Sequence, residues 1–269
     1  MSVVNISGGR IAGIDLLEVV SGGVMRLFGA SRPVGFERLS KRFELKHVFG
    51  LHGKPGINAD VISATEAVNV IADRAFEIVG EGAVSADVSH YAEGGVAIVT
   101  NGTDADAIIL APHLDASQTA WTGTTWGTDE EVEWECDIKT GAAITTCAIV
   151  AGLKLTNTDV VATDADQIFF RYQSGVNSGG WEAVHSIGDV DLQEDAGVPA
   201  VVLDTGYHLK ITIDNERVGR MYIDGKLVKT TAALTTGVDF IPYIGITERG
   251  ASSARTLRVR GQAISRNYL

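Results

Sequence analysis

At 269 residues and 45% hydrophobic content, the chain has room for one large core and is too apolar for a disordered polypeptide. Thirty-one glycines against five prolines suit many tight turns, and no apolar run approaches the ~20 residues of a membrane-spanning helix. A net charge of −12 argues against nucleic acid as a partner, since neutralising phosphates takes clustered Lys and Arg. Met1 to Asn5 lack the basic start and apolar core of a secretion signal, so cytoplasmic synthesis is expected.

The charge is unevenly placed. Residues 1–55 carry eight basic and four acidic side chains, a net of +4, which leaves −16 for residues 56–269. Phe36, Leu39, Phe43 and Leu45 are spaced among the charges of this first segment. It has too few apolar residues for its own core and too many for a solvated tail. The expectation is an assembly arm, residues 1–55, that buries those four side chains on a neighbouring subunit, ahead of a domain at 56–269. Between Asn58 and Ala75, the spacing of Val61, Ala64, Val68 and Ile71 fits a helix, and a short strand at 68–71 nearly as well.

From residue 75 the rhythm is that of strands, at 75–79, 83–88, 96–100 and 106–110. Residues 131–138 alternate cleanly. Val132, Trp134, Cys136 and Ile138 face one way, and Glu131, Glu133, Glu135 and Asp137 the other. Strands follow at 143–155, 167–172, 181–185 and 198–203, with turn signals about every ten residues, the habit of sandwiches and barrels. Tyr207 to Thr230 reads as a three-stranded meander. Tyr207, Leu209, Ile211 and Ile213 share a face, and Asp224-Gly225 supplies a type I′ turn. Strands at 240–246 and 256–261 close the chain.

The stretch YHLKITID, a turn, then RMYIDGKLV resembles the corresponding hairpin of concanavalin A-like (laminin-G-like) jelly rolls. The resemblance implies an all-β, antiparallel jelly-roll sandwich, here preceded by an extended N-terminal arm. With APHLDASQTAW and DADQIFFRY, residues 75–265 are also similar to virion structural proteins of tailed bacteriophages with a lectin-like domain. That likeness implies a capsid decoration or cement protein in the virion. Its arm would dock on the major capsid protein or other virion subunits, and the chain would form a homo-oligomer. The alternative is a lectin-like module that attaches to a host-surface glycan.

Three constellations bear on chemistry. Retaining glycosidases of the same superfamily carry Glu-x-Asp-x-(x)-Glu on one strand face, and Glu131 and Glu135 would be the acids here, with Glu133 in place of the central Asp. A solvated acidic face explains the same residues. No Ser–His–Asp order and no phosphate loop is present, so the chain is expected not to be an enzyme. Trp121, Trp126, Tyr172 and Trp181 are candidates for sugar stacking or a subunit contact, while Trp134 belongs to the core. Asp104 with Asp106, and Asp164 with Asp166, resemble pieces of calcium loops, so calcium stays open and no other cofactor is implied. Cys136 and Cys147, without a Cys-x-x-Cys, read as two buried thiols.

Overall fold

The computed structural model describes residues 18–20, 24–26, 34–35, 42–48, 77–83, 87–91, 94–111, 126–156, 158–250 and 253–267. In chain order the strands begin with β1 Glu18–Val20, β2 Val24–Arg26, β3 Val34–Gly35, β4 Arg42–Val48, β5 Glu77–Val79, β6 Val88–His90 and β7 Val96–Val99. Next come β8 Ala107–Ala111, β9 Trp126–Gly127, β10 Glu133–Thr140, β11 Cys147–Lys154, β12 Gln167–Gln173 and β13 Trp181–Ile187. The last are β14 Val190–Asp195, β15 Gly206–Ile213, β16 Val218–Ile223, β17 Lys226–Ala233, β18 Asp239–Glu248 and β19 Thr256–Asn267. The chain divides into two compact units, Leu45–Ser265 and a second formed by Met1–Glu44 with Arg266–Leu269. In the second, β1, β2 and β3 pair antiparallel.

The larger unit holds two antiparallel sheets. Sheet A runs β17-β16-β15-β10-β19-β7-β6, and sheet B runs β14-β13-β12-β11-β18-β8-β5, with β9 pairing on β18. Consecutive strands β10 and β11 lie in opposite sheets, so the connection crosses the sandwich. The expected jelly-roll sandwich is what forms, and the expected meander is β15-β16-β17 at the end of sheet A. Asp224 and Gly225 both take positive φ, 49° and 80°, as a type I′ turn requires.

Sheet A is two-faced because its sequence alternates. Trp134, Cys136 and Ile138 of β10, Leu209, Ile211 and Ile213 of β15, and Met221 and Ile223 of β16 are buried against sheet B. A Cβ built on Gly219 of β16 would lie 2.5 Å from Ile168 Cδ1, which fixes the inner side of β12. Sheet B, in contrast, is covered on both faces. All eight residues of β11 are buried, and on the side away from sheet A a cluster forms from Val79, Ile109, Val150, Val161, Phe169, Val184 and Tyr243. Gly152 sits among them because a Cβ there would come within 2.5 Å of Phe169 Cα. A strand buried on both faces loses the period of two and reads as a continuous apolar run.

One strand expectation is corrected, and one strand was not expected. Residues 198–203 form no strand. Val202 and Leu203 are about half exposed, and the Val202 amide donates to the Tyr207 hydroxyl at 2.8 Å instead of to a ladder. The strand in this region is β14, whose six residues are all exposed and whose acidic sequence, VDLQED, resembles a loop. Charge on an outermost strand is a common guard against edge-to-edge pairing. The segment at 58–75 lies outside the described residues.

Cys136 and Cys147 are both free and buried. Burial pushes the Cys136 thiol well above its usual range and the Cys147 thiol up to about 12, which makes both poor nucleophiles at neutral pH. His185 is 2% exposed and faces the interior from β13, with no hydrogen-bond partner for Nδ1 among the described residues. Burial, assisted by Lys229, lowers its pKa. The unfolded chain therefore takes up a proton at about pH 6.5 that the folded chain resists. Stability contributed by neutral His185 is present above that pH and lost as the pH falls below it. In urea unfolding between pH 7.5 and 5, His185→Leu is expected to show a flatter pH dependence than the parent. An identical slope would show that His185 does not titrate on unfolding.

Candidate functional site

Among the described residues, the outer face of sheet A carries a row of part-exposed and exposed polar side chains. On the outer side of sheet B, Phe169, Val184 and Tyr243 are no more than 1% exposed. On sheet A, the strand register aligns the outward side chains in rows. One row runs Leu227, Tyr222, Lys210, Glu135 and Ala263, across β17, β16, β15, β10 and β19. Beside it lie Arg220, Thr212, Glu133 and Ser265 on one side, and His208, Asp137 and Gly261 on the other. Neighbouring strands are about 4.8 Å apart, so the central row is roughly 19 Å long.

Charged groups in this array hold one another. Lys210 Nζ lies 2.6 Å from Glu133 Oε1. His208 Nδ1 lies 2.9 Å from Asp137 Oδ1, and its Nε2 is 3.7 Å from Glu135 Oε2. Arg220 Nη1 lies 2.6 Å from Asp214 Oδ2. Desolvation would raise the pKa of Asp214, but hydrogen bonds from Arg220 and from the Val218 and Glu216 amides outweigh it and hold the carboxyl below its usual range. The Asp224 carboxylate accepts the His208 amide at 2.8 Å, which ties the hairpin turn to β15. His208 and Asp137 remain 39% and 60% exposed, so the cluster is accessible. An imidazole held at one nitrogen by a carboxylate, with a second carboxylate near the other, is equipped to carry a proton.

Tyr222 brings an aromatic ring to this face, on a half-buried position next to Lys210 and Leu227. On β19 the matching positions are Gly261 and Ala263, the latter 9% exposed. The alternation of β16, with Gly219, Met221 and Ile223 inward and Arg220 and Tyr222 outward, is visible in the sequence and would have marked Tyr222.

Other residues singled out in the sequence fall elsewhere. Trp126 and Trp181 are 0% exposed and Tyr172 is 5% exposed. They are core residues, which corrects their assignment to a sugar-stacking or subunit-contact surface. Trp181 meets Tyr172 and Tyr207 edge-on, at centroid distances of 6.3 and 5.5 Å. Trp121, Phe36 and Leu39 lie outside the described residues, while Phe43 and Leu45 fall on the backbone of β4.

The carboxylates of β10 are in place, but not as first paired. Glu131 precedes the strand, with φ +52°, whereas Glu133, Glu135 and Asp137 lie on it. Among the calcium candidates, Asp164 is held by Lys154 at 2.9 Å, and Asp106 Oδ2 accepts the Asn101 amide at 2.6 Å. Asp166 accepts from Thr235 and from the Gly188 amide. Among the described residues, no three His, Cys, Asp or Glu side chains are arranged to hold a metal ion.

No protein-family model matches the sequence, and no curated protein matches it at sequence level. Solved structures do match the fold. A protein of unknown function from Shewanella oneidensis MR-1 superposes with a TM-score of 0.55 at 12% identity, covering 85% of this chain and 87% of its own. Alginate lyase A1-II′, a member of polysaccharide lyase family 7, gives 0.50 at 14% identity over 70% and 86%. Alginate lyase Aly36B gives 0.50 at 11% identity over 82% and 96%. The architecture is thus a jelly-roll sandwich of the kind found in carbohydrate-active proteins. The expectation that the chain is not an enzyme is overturned by these neighbours, which are enzymes built on the same fold.

Proposed function

We propose that the protein is a glycan-binding, carbohydrate-active jelly roll whose ligand lies along the outer face of sheet A. The observation that carries this reading is the central row, in which Tyr222, Lys210 and Glu135 lie side by side and end at Ala263. A pyranose presents an apolar face that packs on an aromatic ring and a rim of hydroxyls that hydrogen-bond to charged groups. Tyr222 supplies the ring, while Glu135, Asp137 and Lys210 supply acceptors and donors. His208, between Asp137 and Glu135, supplies the group from which acid–base chemistry on a bound sugar would start. The sequence likeness to virion proteins gains no support from the solved structures of similar fold.

Calorimetry of the full chain against a panel of defined oligosaccharides tests the proposal. Tyr222→Ala and Glu135→Gln are each expected to weaken binding about tenfold, or ~1.4 kcal/mol. Binding that survives both changes unaltered, or no binding to any glycan, would sink it. Assaying new chain ends in the same mixtures, with His208→Ala beside the parent, separates binding alone from binding with cleavage.

A further inference from the structure

We infer that the glycan taken by this face is an uncharged one, and that the Glu133–Lys210 pair is what turns polyuronates away. The inference rests on the reading of sheet A as a glycan site and concerns its substrate class. A uronate needs a cation free to meet its carboxylate. In the middle of this face the two cations already have counter-ions: Lys210 is bound to Glu133 at 2.6 Å and Arg220 to Asp214 at 2.6 Å. The His208 ring is likewise taken up, with Nδ1 2.9 Å from Asp137 and Glu135 on its other side. An anionic sugar in the central row would lie against Glu135 with Glu133 and Asp137 on either hand. It would have to take Lys210 away from Glu133. The surrounding field acts in the same sense, because residues 56–269 carry a net −16 and repel a polyanion before contact. A hydroxyl, in contrast, accepts from Lys210 or donates to Glu135 without breaking any pair.

The fold alone would suggest the opposite substrate, since alginate, the polymer named for two of the similar structures, is a polyuronate. The test compares neutral hexasaccharides with alginate hexasaccharides of equal length, binding to the full chain at two salt concentrations. Neutral ligands are expected to bind at least tenfold more tightly. In Glu133→Gln, which releases Lys210 from its charged partner, the ratio of alginate to neutral affinity is expected to rise at least tenfold. Alginate binding as tight as neutral binding in the parent would overturn the inference and leave the glycan site standing. An unchanged ratio in Glu133→Gln would overturn the role given to the pair. Failure of every oligosaccharide to bind would remove the site and the inference together.

Discussion

Lys154→Met is expected to lower unfolding stability by about 3–5 kcal/mol, the usual cost of removing one partner from a buried ion pair. Lys154 and Asp164 are both wholly buried, with Nζ and Oδ2 2.9 Å apart. The ammonium also donates to Gln167 Oε1 at 2.5 Å and lies 4.7 Å from the centre of the Phe169 ring. Burial lowers the Lys154 pKa, and the charge of Asp164 opposes that only in part. Asp164 in turn accepts from the Leu155 and Thr156 amides and the Thr156 hydroxyl, so it clamps the start of the loop that follows β11. Gln167 carries the network on to Ser186, and Ser186 to Asp191. Removing the lysine leaves a buried carboxylate without its counter-charge. Asp164→Asn should also destabilise, but Lys154→Met with Asp164→Asn should cost clearly less than the sum of the two. Urea midpoints of the four proteins measure the coupling. Additive losses would mean that the two charges do not depend on each other.

What the sequence could and could not reveal follows from which faces are covered. β10, β15 and β16 each have one buried and one wet face, so their period of two names the inward residues correctly, including Trp134, Leu209 and Met221. The same alternation names the outward set, Glu133, Glu135, Asp137, His208, Lys210 and Tyr222. Sequence reading found the acids of β10, but not that β15 would bring His208 and Lys210 beside them, because the register of strands far apart in the chain, with Asp137 and His208 71 residues apart, is set by tertiary pairing. The aromatic choice failed for a related reason. Trp181 opens a strand after a glycine-rich turn, a position that looks accessible in one dimension, whereas β12 and β14 enclose it on either side. β14 was illegible because it is an edge strand made of residues that favour solvent. The acidic balance, by contrast, was legible from composition.

Trp181→Ala is expected to destabilise the protein by about 3–5 kcal/mol, as large-to-small changes at a buried tryptophan do. The indole is 0% exposed and closes the inner surface of β13 against Tyr172 and, across the sandwich, Tyr207. Loss of the ring would leave a cavity between two sheets whose strands are hydrogen-bonded in place, so the walls can relax only partly. Trp181→Phe makes the experiment decisive about function. The indole N–H has no hydrogen-bond partner among the described residues, so phenylalanine removes an unsatisfied donor while keeping most of the volume. Its cost should stay under about 1.5 kcal/mol. Glycan affinity of Trp181→Phe should equal that of the parent, because no part of the ring reaches the outer face of sheet A. A tenfold loss of affinity in a well-folded Trp181→Phe would return the ligand to the Trp181 end of the sandwich and away from Tyr222. Unchanged affinity there, with a tenfold loss in Tyr222→Ala, would separate the aromatic residue that holds the fold from the one that meets the sugar.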